Sequence, residues 1–451
     1  MLLARSLPFV PERRWFRVAA CAAFALAAVA RIGLRIHFTD FHSPELWEFG
    51  EIARNLVQTG TFTYRSNGVP SAFMPPGYPL YIAFLYQVFG VGEIAHVILA
   101  GTLLVFELCL PFLVGYLAAE IRDRTTGFVA FLLALFWPQL LVMSGRLTNI
   151  PIYTSLLLLA CVLVLANSIP LRRRAFLSGL ALGMFGLFRF EACAFLVPFG
   201  FVLFRHNGGS GSRRAGVGWR RRLGILFVFL GAFLIPLLPW IGRNYAVFGE
   251  VVLSTSGGYN LRRGHHARAT GTAREHYAAE NTLTESTAGG TPVPGADAMA
   301  RVVERTPGDV LEVDRFFRDE ALRFIAANPA KEASLAVRKL FFFLVADFTH
   351  PMSRVFPIWG TSFVALMVGL VHWFRSGIRD PRQQFLWLVF ATQACLAVAF
   401  FVVPRYRMGV EFVPLVFFAA ALGPLVRHWS ADSTPQQKEA LMHRASPSEH
   451  P

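Results

Sequence analysis

The sequence predicts an all-α polytopic membrane protein, and three observations carry that prediction. Of 451 residues, 54% are hydrophobic and only 16% charged, where a soluble domain carries about a quarter charged residues. Apolar runs close to the ~20 residues needed to cross a bilayer recur along the chain. Arginines gather in alternate gaps between those runs, the pattern that sets topology. The formal net charge of +15 is therefore spread over loop ends rather than concentrated on one soluble domain. That distribution argues against nucleic acid as a partner.

Taken in order, the apolar segments are 16–36, 94–119, 126–145, 151–168, 175–190, 192–205, 222–241, 354–374, 385–403 and 410–426, about ten spans. Arg13, Arg14 and Arg17 precede the first, and no small-residue cleavage site is recognisable. It reads as an uncleaved span rather than a signal peptide. The run Gly77–Gly90 is too short to cross comfortably, so it is placed along the interface. Charge supports this. With 77–90 not crossing, Arg5–Arg17, Arg122/Arg124, Arg172–Arg174, Arg205–Arg222, Arg375–Arg382 and the end from Arg427 all fall on the cytoplasmic side, as the positive-inside rule requires. The other side then holds 37–93, 146–150, 242–353 and 404–409.

The polar stretch Pro44–Pro79 organises that outer side. Glu45, Phe49, Ile52, Ala53 and Leu56 fall at i, i+4, i+7, i+8 and i+11, one face of an amphipathic helix, and Gly60 is its expected stop. Ser71–Pro79 (SAFMPPGYP) is a rigid turn into the aromatic-rich run. In the long outer segment, Ala267–Pro294 reads as a mobile loop. Asp314–Ala327 reads as a helix carrying Phe317, Ala321, Leu322 and Phe324 at helical spacing, ended by Asn328–Pro329. Lys331–Leu344 is a second helix. The expected organisation is an N-terminal module 1–241 with a catalytic first outer loop 37–93, an extracytoplasmic segment 242–353, C-terminal spans 354–429 and a disordered cytoplasmic tail 430–451.

The chain has no P-loop, nucleotide-binding glycine motif, HExxH, GxSxG or cysteine metal motif. Cys21, Cys109, Cys161, Cys193 and Cys395 all lie in apolar segments and read as small buried hydrophobes. His265–His266 lack a third ligand. Candidate chemistry concentrates instead at the outer ends. A carboxylate at Glu45, partly desolvated near a bilayer, has the character of a general base. Arg243 follows Pro239–Gly242; Arg405 and Arg407 flank Tyr406 after Pro404; Arg189 and Glu191 bracket a tight outer turn. Such guanidiniums either snorkel to headgroups or bind phosphate bidentately.

The stretches ELWEFGEIARNL with SAFMPPGYPLYIAFLYQVFG, PWIGRNYAVFGEVVLSTSGGYNLRRG, EALRFIAANPAKEASLAVRKL and PRYRMGVEFVPLVFFAAALG together resemble the GT-C class of membrane glycosyltransferases. The resemblance is to the branch that holds protein O-mannosyltransferases, aminoarabinose transferases and family-39-like bacterial proteins. It implies a GT-C-like bundle in the inner (plasma) membrane, with its active site on the extracytoplasmic side. It implies inverting transfer of a sugar from a polyprenyl-phosphate donor to a lipid, glycan or protein acceptor. On that resemblance Glu45, four before Phe49, takes the place of the family's first-loop Asp, and Arg243, Arg405 and Arg407 hold the donor phosphate. Phe49, Pro75, Pro76, Tyr78, Asn149, Arg189 and Tyr406 line the donor or acceptor pocket. A second family acid falls on Asn149 or Ile150 before Pro151 and is absent here, which leaves divalent-metal involvement open. Two rivals remain: a non-catalytic relative that binds or helps translocate a lipid-linked sugar, and a secondary transporter. The transporter requires repeated halves and charges within spans, whereas only Arg31, Glu107 and His372 stand near or inside spans and no symmetric halves are visible.

Overall fold

The computed structural model describes residues 9–10, 14–64, 68–205, 219–272, 306–348 and 350–431. Helices follow one another as α1 (Arg14–Phe38), α2 (Trp47–Thr59), α3 (Gly77–Phe89), α4 (Glu93–Ile121), α5 (Arg124–Leu135) and α6 (Pro138–Val142). Then come α7 (Ile150–Leu165), α8 (Leu171–Gly186), α9 (Ala192–Arg205), α10 (Trp219–Phe248) and α11 (Gly257–Gly264). The chain continues through α12 (Pro307–Ala327), α13 (Pro329–Leu344), α14 (Phe356–Ser376), α15 (Pro381–Ala399), α16 (Pro404–Met408) and α17 (Phe412–Ala431). Among the described residues the only β feature is an isolated bridge between Thr272 and Val402.

Every expected apolar segment is helical, but the spans are less uniform than their runs suggest. Among the described residues four helices, α1, α4, α10 and α14, are long and apolar enough to cross a membrane; α5 with the 138–145 segment makes a fifth, bent by 42°. The bend has a local cause: Pro138 lacks the N–H that would continue the ladder, and Trp137 before it is extended (φ −65°, ψ 120°). The remaining apolar helices are shorter or more polar and cover one another. Where α8 meets α10 the backbones touch: a Cβ on Gly179 would come within 2.4 Å of the Phe229 carbonyl, and one on Gly183 within 2.2 Å of that of Phe233. This four-residue glycine spacing is how helices approach closely in a bilayer. Of the cysteines only Cys161 is buried, while the other four are exposed on the bundle surface; an apolar run does not say which side of its helix meets lipid.

The non-spanning elements follow the sequence closely, with two corrections. Gly60 caps α2 in the left-handed conformation at φ 72°, as expected, and α3 packs between α2 and α4 without passing the span criteria. However, α2 begins at Trp47, so Glu45 is not on the helix whose apolar face (Ile52, Ala53) is buried. Helix α12 starts seven residues before the expected Asp314. There Thr306 and Asp309 form a reciprocal capping box ahead of Pro307. Most of the expected mobile loop, the tail beyond residue 431 and much of the Arg205–Arg222 cluster lie outside the described residues.

Candidate functional site

The first loop is held by two distant stretches, around 146–147 and around 187. Tyr78, fully buried, sits edge-on to Phe49 (ring centroids 5.2 Å apart) and donates its hydroxyl to the Leu147 carbonyl at 3.0 Å. The turn Pro75–Pro76 delivers Gly77, whose N–H donates to the Leu187 carbonyl at 2.7 Å. A Cβ at Gly77 would meet that oxygen at 2.9 Å, so only glycine allows the approach. At the rim, Glu45 is 66% exposed and pairs with Arg146 at 3.5 Å; the Arg146 guanidinium also lies over the Trp47 ring. Trp47 has φ 47°, a left-handed conformation that costs a non-glycine residue about 1–2 kcal/mol. Strain of this kind is retained where the surroundings impose it, often beside a site.

Behind that rim lies an aromatic-lined floor. Arg189 forms a bidentate pair with Glu191, and its guanidinium lies over Tyr153 at 5.2 Å and Tyr406 at 4.8 Å. Tyr153 donates to the Arg405 carbonyl at 3.2 Å, and Asn149 Nδ2 reaches the Phe188 carbonyl at 3.5 Å. Arg405 is exposed, and its guanidinium meets the Tyr406 ring at 5.9 Å. Through these contacts the structure links Phe49, Pro76, Tyr78, Asn149, Arg189, Tyr406 and Arg405 in one connected group, with Tyr78 and Asn149 buried in it and Arg405 exposed. Tyr153 and Arg146 belong to it and were not singled out from sequence. A tyrosine one turn into an apolar helix, and an arginine in a short loop, carry no signal of their own.

Two arginines expected to hold phosphate are committed elsewhere. Arg243 donates to the carbonyls of Ser71 (2.9 Å) and Phe62 (3.4 Å) and to Asn244 Oδ1 (3.0 Å). Its face is surrounded by Phe62, Trp240 and Phe248. It fastens the first loop to α10, assisted by Ser256 Oγ donating to the Phe73 carbonyl at 2.7 Å. Arg407 is buried, donating to Glu411 at 3.2 Å and to the last carbonyls of α13, Phe343, Leu344 and Val345. A cation at a helix C-terminus satisfies orphan carbonyls and the dipole together. Both are structural staples, because a loop must be tied down somewhere and Arg carries the donors to do it.

His265 is likewise a structural group: its Nδ1 lies 2.7 Å from Glu332, and its Nε2 lies 2.9 Å from the Ala399 carbonyl and 3.1 Å from Lys339 Nζ. Burial pushes the Lys339 amine down to about 8, partly offset by the Glu332 carboxylate. The folded protein then holds fewer protons than the unfolded chain between about pH 8 and the usual lysine value of 10.5, so this group's contribution to stability rises with pH across that window. Thermal unfolding in detergent is expected to show the wild type gaining stability relative to Lys339→Met between those values. A flat difference would mean that the amine is not buried uncharged.

No group of three or more His, Cys, Asp or Glu side chains converges among the described residues. Glu45 stands beside an arginine, and the position expected for a second acid, Asn149 or Ile150, carries none. Among the described residues this donor set does not fit a resident divalent ion.

Long apolar helices, with two shorter helices between the first two of them, define the fold of a multi-pass α-helical membrane protein. Solved structures share it. Archaeal oligosaccharyltransferase AglB from Archaeoglobus fulgidus, in complex with an inhibitory peptide and a dolichol-phosphate, superposes with a TM-score of 0.55 over 97% of this chain and 53% of its own, at 16% identity. A second structure of that oligosaccharyltransferase, tethered to an acceptor peptide, gives 0.52 over 91% and 49%, also at 16% identity. ArnT from Cupriavidus metallidurans bound to undecaprenyl phosphate gives 0.40 over 96% and 81% at 17% identity. The chain spans about half the length of the oligosaccharyltransferase structures it matches. No family model and no curated protein matches the sequence.

Proposed function

We propose that this protein is an inverting membrane glycosyltransferase that takes a sugar from a polyprenyl-phosphate donor at the extracytoplasmic face of the inner (plasma) membrane. The observation that carries the reading is the gathering of the first loop, the 146–149 turn, the 187–191 turn and α16 into one patch with an exposed carboxylate and an exposed guanidinium at its edges. Support comes from the fold shared with AglB, whose structure contains a dolichol-phosphate, and from the positive-inside alternation of arginines in the sequence, which favours the outer side for these loops.

In this reading Glu45 accepts the proton of an acceptor hydroxyl or amine as that group attacks the anomeric carbon. The C–O bond to the donor phosphate breaks, and the departing phosphate takes its charge to Arg405. Tyr406 and Tyr153, already faced by Arg189, offer an apolar wall beside the sugar. Arg243 and Arg407 shape the site without touching the donor.

The test is transfer by the purified, reconstituted protein offered a panel of polyprenyl-phosphate sugars. Arg405→Ala is expected to raise the donor KM about tenfold, the worth of one hydrogen bond to a charged group, with a smaller effect on acceptor KM. Equal losses for both would remove Arg405 from the phosphate site. The exposure of Glu45 and the amide at position 149 favour one second reading, a non-catalytic relative that binds a lipid-linked sugar; donor binding with neither transfer nor hydrolysis across the panel would establish it.

A further inference from the structure

A buried ion pair lies beneath the rim, between α1 and α4. Glu107, 1% exposed within a span, is paired with Arg35, which is 4% exposed. Ser144 donates to its other oxygen at 2.6 Å. Arg35 also donates to the Arg146 carbonyl at 3.4 Å. One turn deeper, fully buried Arg31 donates to the Leu135 carbonyl at 2.8 Å, where the α5 ladder ends before the bend. The carboxylate and two guanidiniums therefore grip both ends of the broken segment 135–146. Desolvating three charges is costly, and such groups inside a span mark function more often than stability.

The grip leads to the rim. Arg146, whose carbonyl Arg35 holds, carries the guanidinium that pairs with Glu45 and covers the strained Trp47. The next residue, Leu147, accepts from Tyr78, and Asn149 reaches the 188 carbonyl. Phe38, at the end of α1, closes the turn against Gly145. Beyond the break at 136–138 the helix narrows to a single 3-10 turn at Met143–Gly145, closed by the Arg146 N–H donating to the Met143 carbonyl at 3.3 Å, and the Arg35–Glu107–Ser144 contacts tie that short turn to α1 and α4.

We propose that Glu107 is a positioning residue: through Arg35 and Ser144 it fixes the 143–147 turn, and through Arg146 that turn sets where the Glu45 carboxylate stands. The proposal rests on the reading of Glu45 as the base. Because Glu107 never meets substrate, its loss acts on the chemical step and leaves donor binding intact.

The test uses full-length reconstituted protein and the polyprenyl-phosphate sugar that supports turnover. Glu107→Gln removes the charge; Ser144→Ala removes one hydrogen bond, keeps the ion pair and guards against a variant that fails to fold. Each is also combined with Glu45→Gln, and hydrogen exchange of the 143–149 peptide is followed in parallel. Both single variants are expected to lower kcat tenfold to about a hundredfold, the scale of a misplaced catalytic group. Donor KM should stay unchanged, exchange of the peptide should quicken, and neither double variant should fall below Glu45→Gln alone. Losses that multiply with Glu45→Gln, a change confined to KM, or unaltered exchange would overturn the proposal. If Glu45→Gln alone retains turnover, the base assignment fails and this role for Glu107 falls with it. If Glu45→Gln loses most of its turnover and the second substitution lowers the residual rate further, only the positioning role fails.

Discussion

Glu45→Gln is expected to lower sugar transfer by about a hundredfold or more, the range a positioned general base contributes, while expression and thermal stability stay at wild-type levels. The second half of that result follows from exposure. Glu45 is 66% exposed and its partner Arg146 is 64% exposed at 3.5 Å, and such surface pairs are worth about 0–1 kcal/mol. The amide keeps the shape and a polar contact to Arg146 but cannot take up the acceptor's proton. Initial rates with saturating donor, set beside an unfolding curve, separate the two effects. Turnover within a few-fold of wild type would remove Glu45 from the mechanism.

Arg407→Ala is expected to have the largest effect on stability, about 3–5 kcal/mol, the cost of removing one partner from a buried ion pair. It leaves the fully buried Glu411 with the Trp137 indole, 3.2 Å away, as a remaining donor, and it strips the last turn of α13 of its cap. Replacing the pair together, Arg407→Met with Glu411→Leu, should recover much of the loss, since an apolar pair of similar volume carries no unpaired charge. The measurement is the midpoint of thermal unfolding in detergent for the wild type, the single and the double variant. A single variant as stable as wild type would mean that Arg407 is free for a ligand after all.

The class of fold was readable because bilayer physics writes on sequence at low resolution. Length, apolarity and the side of the arginines announce spans without any knowledge of neighbours. Local stops were readable for a similar reason: Gly60 ends α2 and Asn328–Pro329 separates α12 from α13 through backbone preferences of single residues. Gly179 and Gly183 could be read as small, but not that they admit α10.

Charged side chains were a different matter. Arg243, Arg405 and Arg407 look alike in sequence, each an arginine near the end of an apolar segment. Tertiary structure divides them, binding the first to loop carbonyls, leaving the second exposed beside a tyrosine ring, and placing the third in a helix cap with Glu411. Glu45 was placed on its helix because the apolar period runs through it, whereas the strained Trp47 starts that helix two residues later. Arg35 and Glu107 are 72 residues apart, and their pairing under the rim depends on how α1 meets α4. Composition and periodicity therefore determined a multi-pass α-helical bundle. Which charges face solvent, which hold backbone and which hold each other was decided only by packing, because a guanidinium has no role until the carbonyls or carboxylates within its reach are known.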